Sequence, residues 1–312
     1  MKITSPDCRE TLNRAREQIL SEPTRSAEAI VGVNAALNAI RTEQDTFGWQ
    51  AAIAECRRHP ICQLIHEDPL TRRSFTRPRG YAGDAELLDI IYRRDWRGLA
   101  SPPSAVGQAV FDHTIDCRAP AAVRVRRELL AGMIDAACER TRSPHILSVA
   151  CGHLRELALS DGFCAGRVGR FVGLDQDAAS LAEVGRSLPG APVETVPGSI
   201  KLLFGGGLAR EKFDFIYTAG LYDYLEEDFA QRLTRRMFEM LRPGGRLLVA
   251  NFQPGIEDVG YMEAFMDWRL IYRDAAAMGR LDQGIAAEHI ATRKIFGDAT
   301  ESIVFLELDR TP

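Results

Sequence analysis

The chain has 312 residues, of which 46% are apolar, with 39 basic and 43 acidic side chains and a formal net charge of −4. That length suits a catalytic domain plus a second lobe around a sizeable core, and the near balance of charge argues against a nucleic-acid or anionic-membrane surface. Seven cysteines, an odd number with no CxxC pair, suit reduced thiols in a cytoplasm.

The amino terminus, MKITSPDCRETLNRAREQIL, is polar and carries acidic residues, which is neither a signal nor a transit peptide pattern. No apolar run approaches bilayer-spanning length. Apolar residues recur at helical spacing in TLNRAREQIL, AEAIVGVNAALNAI, DAELLDIIYRR and AAVRVRRELLAGMIDAACER, so residues 1–142 are predicted to form a helical lobe. A Pro- and Arg-rich loop, TRRSFTRPRGYAGD, and a breaker cluster at Ser101-Pro102-Pro103-Ser104 interrupt it. Cys56, His59, Cys62 and His66 match no common zinc spacing, and Pro60 breaks the helix that would align them, so no metal is expected.

From about residue 143 the pattern changes. Short strands HILSVA, RFVGLD, PVETVPG, FDFIYTAG and GRLLVANF alternate with helices, which predicts an α/β, doubly wound, mostly parallel sheet. YMEAFMDWRLIYR, inside an insertion at about 253–285, reads as one helix with Tyr261, Phe265, Trp268 and Tyr272 on one face and Arg269 and Arg273 on an adjoining stripe. ATRKIFGDATESIVFLELD reads as a β-hairpin closing the sheet with antiparallel strands.

In doubly wound sheets the first strand–helix turn meets the charged end of a ligand, and an acid closing the second strand takes ribose hydroxyls. Asp175, in VGLDQD, follows Gly152 by 23 positions, which fits that spacing, although Asp175 or Asp177 could instead cap the next helix. The turn Ala150-Cys151-Gly152-His153 cannot make G-x-G-x-x-G, which counts against NAD or FAD and less against a cofactor without phosphates. An amino-acid carboxylate is expected near the start of a helix at Leu154.

SVACGHLRE, GLDQD, PGSIKLL, FDFIYTAGLYDYL and LRPGGRLLVANF, in this order and followed by a hairpin, resemble the class I methyltransferases that use S-adenosylmethionine. The resemblance covers roughly residues 143–309 and departs at the first motif, where the family usually has an acidic residue and several glycines. It implies a Rossmann-like sheet of seven strands and S-adenosylmethionine as cofactor. It also implies binding contacts at Ala150, Cys151, Gly152, Asp175, Gln176, Ser199, Ile200, Thr218 and Gly220. TRPRGYAGDAELLDIIY, SVACGHLRE, GLYDYL and YMEAFMDWRLIYR are together similar to the bacterial methyltransferases that make methyl esters of 3-hydroxy fatty acids as extracellular signals, and to relatives of undefined substrate.

Tyr222, Asp223 and Tyr224 follow the fourth strand, where the methyl group should project, and Tyr224 is the first choice to line the acceptor site. His113 in FDHTIDCR is a candidate general base. Arg269 is a candidate for an acidic acceptor, beside a wall of aromatics. In RPRGYAGD, Asp84 can cap a helix, whereas Tyr81, Arg77 and Arg79 have no local explanation and suggest a lid over the cofactor. The leading reading is O-methylation of a small or lipid-like, fatty-acid-like acid or hydroxyl compound. The amino-terminal helices and the insertion would form the pocket, with no stable membrane insertion, no nucleic acid and a homo-oligomer left open. The alternatives are N-methylation of an amine or amino-acid-derived metabolite and a non-catalytic scaffold keeping the fold.

Overall fold

The computed structural model describes residues 8–98 and 102–312, so the start of the polar amino terminus and Ser101 of the breaker cluster lie outside the described residues. In chain order the helical region runs α1 (Cys8–Ser21), α2 (Ser26–Glu43), α3 (Thr46–Arg58), α4 (Ile61–Ile65), α5 (Pro69–Thr76), α6 (Ala85–Arg93), α7 (Ala105–Thr114) and α8 (Arg118–Arg140). Strands β1 (His145–Val149), β2 (Arg170–Asp175), β3 (Val193–Pro197), β4 (Phe213–Thr218) and β5 (Leu241–Phe252) then alternate with helices α9 (Asp161–Cys164), α10 (Ala178–Ser187) and α11 (Glu227–Glu239). Helices α12 (Val259–Phe265) and α13 (Ala275–Met278) precede the hairpin β6 (Ile290–Gly297) and β7 (Ile303–Arg310). Among the described residues no helix is long and apolar enough to cross a membrane.

The sheet has seven strands in the order β3-β2-β1-β4-β5-β7-β6. The first five are parallel, while β7 runs antiparallel to both β5 and β6. This is the doubly wound, Rossmann-like sheet ending in a hairpin that the strand–helix alternation predicted. Strands β1, β2 and β4 are buried almost throughout, as parallel strands covered on both faces must be, and the edge strands β3 and β6 are the half-exposed ones. LRPGG forms the start of β5. The register shifts between Phe213 and Phe215, and Gly244 takes a left-handed φ of 74°.

Two compact units divide the chain: residues up to Val123 with Gly255–Arg269, and Arg124–Pro254 with Leu270–Pro312. In the first, α12 packs on α2 and α3. Asn34 and Asn38 both donate to the Glu257 carbonyl and accept from Tyr261 N and Gly260 N, and Trp49 Nε1 donates to Glu263 at 2.7 Å. In the second, the core between the sheet and α11 is built from residues such as Leu147, Val172, Ile216, Leu233, Met237 and Leu306.

The single helix expected over YMEAFMDWRLIYR is not formed. After seven residues α12 ends, Asp267 turns left-handed at φ 47°, and residues 267–274 are irregular. Arg57 accounts for the stop: its guanidinium donates to the Glu263 and Ala264 carbonyls and to Asp267, while His66 meets the Phe265 carbonyl and Ser74 donates to the Met266 carbonyl. The carbonyls that a further helical turn would need are therefore taken by side chains. Arg269 and Arg273 consequently share no stripe and belong to different units.

Candidate cofactor and acceptor site

The sheet order reverses between β1 and β4, and the carboxyl ends of a doubly wound sheet at such a point are where its ligands bind. After β1, residues Ala150, Gly152 and Leu154 have φ of 55°, 55° and 52°. Glycine adopts this conformation freely, whereas an L-residue pays roughly 1–2 kcal/mol. The turn thus has the backbone of a three-glycine loop with two of its glycines replaced. Burial offsets the strain at Leu154, which is 1% exposed; an added Cβ at Gly173 of β2 would lie 3.2 Å from its Cδ1 and 3.0 Å from Cys151 Sγ. Nothing comparable offsets Ala150, which is exposed. Ala150→Gly is therefore expected to stabilise the protein by roughly 0.5–1 kcal/mol, after allowance for the freedom glycine gains on unfolding. An unchanged or lower urea midpoint would contradict that account of the loop.

The helix expected at Leu154 is absent, because a left-handed residue cannot open a right-handed helix. A short 3-10 turn at Leu157–Leu159 and the four-residue α9 follow instead. No helix amino terminus therefore faces a ligand carboxylate here.

At the end of β2, the two readings of the acidic pair separate. Asp177 caps α10 by accepting from Ala179 N at 3.0 Å. Asp175, 8% exposed, accepts from Gly152 N at 2.8 Å through Oδ2 and from Asp177 N at 2.9 Å through Oδ1. Its carboxylate therefore ties the β1 loop to the tip of β2, and each oxygen keeps a second lone pair for a hydroxyl donor. Burial and the Asp175 charge push the Cys151 thiol well up, so it stays protonated. Gln176 is exposed. Ser199 caps the 3-10 turn Ile200–Leu203 through Lys201 N, and Ile200 packs against the core.

At the end of β4, Thr218 is fully buried and its Oγ1 has no partner among the described residues. Ala219 and Gly220 follow, half-buried. Tyr222 turns into the core, its hydroxyl 2.7 Å from Thr234 Oγ1. Tyr224 is 46% exposed, so the enclosed polar residue of this stretch is Asp223. Asp223 Oδ1 accepts from Phe252 N at 2.7 Å, and burial pushes its carboxyl up to about 7 against the pull of Arg126 and Arg273. Beneath the β1 loop, the buried Glu156 accepts from Tyr217 Oη, and its carboxyl is also raised by burial.

Sequence reasoning missed Arg126 of α8. The signal was available: Ala119, Ala122, Val123, Leu130 and Ile134 form the buried stripe of that helix, and Arg126 occupies a position on it where an apolar residue belongs.

Tyr81, His113 and Arg269 lie in the first unit. Tyr81 is half-buried in the loop 77–84, where Arg79 has a local partner in Glu86, whereas Arg77 pairs with Asp267, 190 residues further along the chain. Asp84 caps α6 and receives a two-pronged bond from Arg73, and the Trp268 ring rests so close to Gly83 that an added Cβ would fall 2.5 Å from it. His113 lies 3.6 Å from Cys117 Sγ, with its imidazole lowered by burial. Arg269 is exposed and donates to Gln50. His59 meets Asn13 and Ile61 N, and no metal-sized group of His, Cys, Asp and Glu occurs among the described residues.

Residues 147–249 match the family model of the methyltransferase domain. A possible exported protein from Bordetella parapertussis is 16% identical at a TM-score of 0.63, the alignment covering 100% of this chain and 99% of that one, and it shows the fold alone. The N-methyltransferase NodS from Bradyrhizobium japonicum is 16% identical over 60% of this chain and 97% of its own, with a TM-score of 0.43. The magnesium protoporphyrin IX methyltransferase ChlM from Synechocystis is 13% identical over 62% and 83%, also at 0.43. No protein of curated function matches. Residues 147–249 are thus a methyltransferase domain, set in a sheet of class I order. The cofactor of such a domain is S-adenosylmethionine, and the enclosed Asp175 carboxylate with its spare lone pairs fits the ribose of that molecule.

Proposed function

We propose that the chain is an O-methyltransferase acting on a carboxylate or hydroxyl of a small or lipid-like acceptor, akin to the enzymes that form methyl esters of 3-hydroxy fatty acids. The observation that carries the methyltransferase part of this reading is the Asp175 carboxylate, held by Gly152 N beside the point where the sheet order reverses, while the choice of an oxygen acceptor rests on the sequence resemblance. When bound, S-adenosylmethionine supplies an electrophilic methyl group on a sulfonium sulfur. The chain's part is to orient the reactants and exclude water. Asp175 accepts from the ribose hydroxyls and keeps the β1 loop in place. A carboxylate acceptor is already ionised at neutral pH and needs no base. For a hydroxyl acceptor, Asp223, raised to about 7, is the group at the tip of β4 suited to take the proton.

Titration of S-adenosylhomocysteine into the protein, followed calorimetrically, tests this. The wild type is expected to bind in the micromolar range, and Asp175→Asn to bind roughly ten- to a hundredfold more weakly, the loss of charge-assisted hydrogen bonds to two hydroxyls. A folded wild type that binds none leaves the non-catalytic scaffold as the better reading.

A further inference from the structure

Arg126 is 4% exposed, yet only one of its donors is committed: Nη1 donates to the Ala219 carbonyl at 3.0 Å. The guanidinium stands 6.0 Å from the centre of the Phe252 ring, at the ends of β4 and β5. No carboxylate among the described residues comes within ion-pair reach of it. The acids that feel its charge are Asp223 and Glu156. Asp223 spends one oxygen on Phe252 N, and Glu156 accepts from Tyr217. The other buried guanidinium nearby, Arg273, is satisfied by the carbonyls of Tyr222 and Leu225 and by Asn251 Oδ1. Burial raises both acids. An unpaired buried cation is costly, and a planar two-oxygen anion is the partner that matches the free Nε and Nη2 edge of a guanidinium. The β1 loop offers no helix amino terminus that could hold such an anion instead.

We propose that Arg126 binds a ligand carboxylate at the carboxyl end of β4. Two sources share that chemistry: the amino-acid end of the cofactor and a carboxylic-acid acceptor. The proposal rests on the methyltransferase reading and deepens it by assigning the anion subsite.

Three probes separate the sources by calorimetry: S-adenosylhomocysteine, 5′-methylthioadenosine, which keeps adenosine and sulfur but lacks the amino-acid end, and octanoate added to protein saturated with S-adenosylhomocysteine. Arg126→Gln is expected to weaken one carboxylate-bearing probe roughly ten- to a hundredfold while methylthioadenosine stays within about twofold. Loss for S-adenosylhomocysteine assigns Arg126 to the cofactor; loss for octanoate alone assigns it to the acceptor. Equal affinity for both carboxylate probes in a variant that melts like the wild type overturns the proposal, and so does an equal loss for methylthioadenosine. Should Arg126→Gln not fold, Arg126→Lys, which keeps the charge and loses the fork, is read the same way. A wild type that binds neither adenosine probe sinks the methyltransferase reading, and octanoate titrated alone then decides for Arg126.

Discussion

Arg273→Met is expected to destabilise the protein by about 3–5 kcal/mol, the cost of leaving three buried neutral acceptors unpaired at roughly 1–3 kcal/mol each, partly offset by relaxation. Arg273 is 3% exposed and acts as a three-way tie. Its Nη1 donates to the Tyr222 carbonyl and to Asn251 Oδ1, each at 2.7 Å, and Nη2 donates to the Leu225 carbonyl. The turn after β4 is thereby fastened to the end of β5. Two further bonds follow the same path: Ile271 N donates to the Asp223 carbonyl at 2.7 Å, and Asn251 Nδ2 to the Ile271 carbonyl at 2.8 Å. Methionine fills the volume but leaves all three acceptors dry. Lysine restores the charge without the planar fork, so Arg273→Lys should recover only part of the loss. Urea denaturation monitored by circular dichroism gives the difference directly. A loss below about 1 kcal/mol would mean that water replaces the guanidinium and that the tie is not structural.

Arg273 also illustrates what the sequence could and could not convey. Strand and helix leave their period locally, so the strands from His145 to Phe252 and the closing hairpin were legible without coordinates. The Asp175 position was legible too, because the spacing from Gly152 reflects the path of one strand–helix–strand unit. The 259–273 segment was not. Its aromatic spacing is helical, but the helix is ended by Arg57, His66 and Ser74, about 190 to 210 residues earlier in the chain. A periodicity argument has no access to partners at that separation. The helix expected to start at Leu154 failed differently: Gly173 on the adjacent strand makes room for Leu154 and lets it hold a left-handed backbone. Arg126 was legible but passed over: it falls three residues after Val123 and four before Leu130, on the apolar stripe of α8 rather than on its solvated face.

Asp223→Asn is expected to flatten the pH dependence of stability between about pH 4 and pH 8. The carboxyl is raised from 3.8 to about 7 in the folded protein, while the unfolded chain titrates near its ordinary value. A group raised by folding binds more protons in the native state across that window, so its stabilising contribution is complete below about pH 4 and is lost as pH climbs through 7. A gap of about three pH units, at 1.36 kcal/mol each, is worth about 4 kcal/mol. Asparagine keeps an oxygen for Phe252 N and cannot ionise, so the variant should gain on the wild type by up to that amount at pH 8 and differ little at pH 4. Asp68, fully buried and raised to about 6, pushes stability the same way, whereas Asp309 and Glu183, held low by arginines, push it the opposite way. These groups are common to both proteins and cancel in the difference, which is why the comparison and not the wild-type profile is diagnostic. Parallel profiles would show that Asp223 is ionised throughout, held so by Arg126 and Arg273. If Arg126 takes a ligand carboxylate, its pull on Asp223 weakens. The pH at which the difference between the two proteins levels off, near 7, should then move upward when that ligand is saturating.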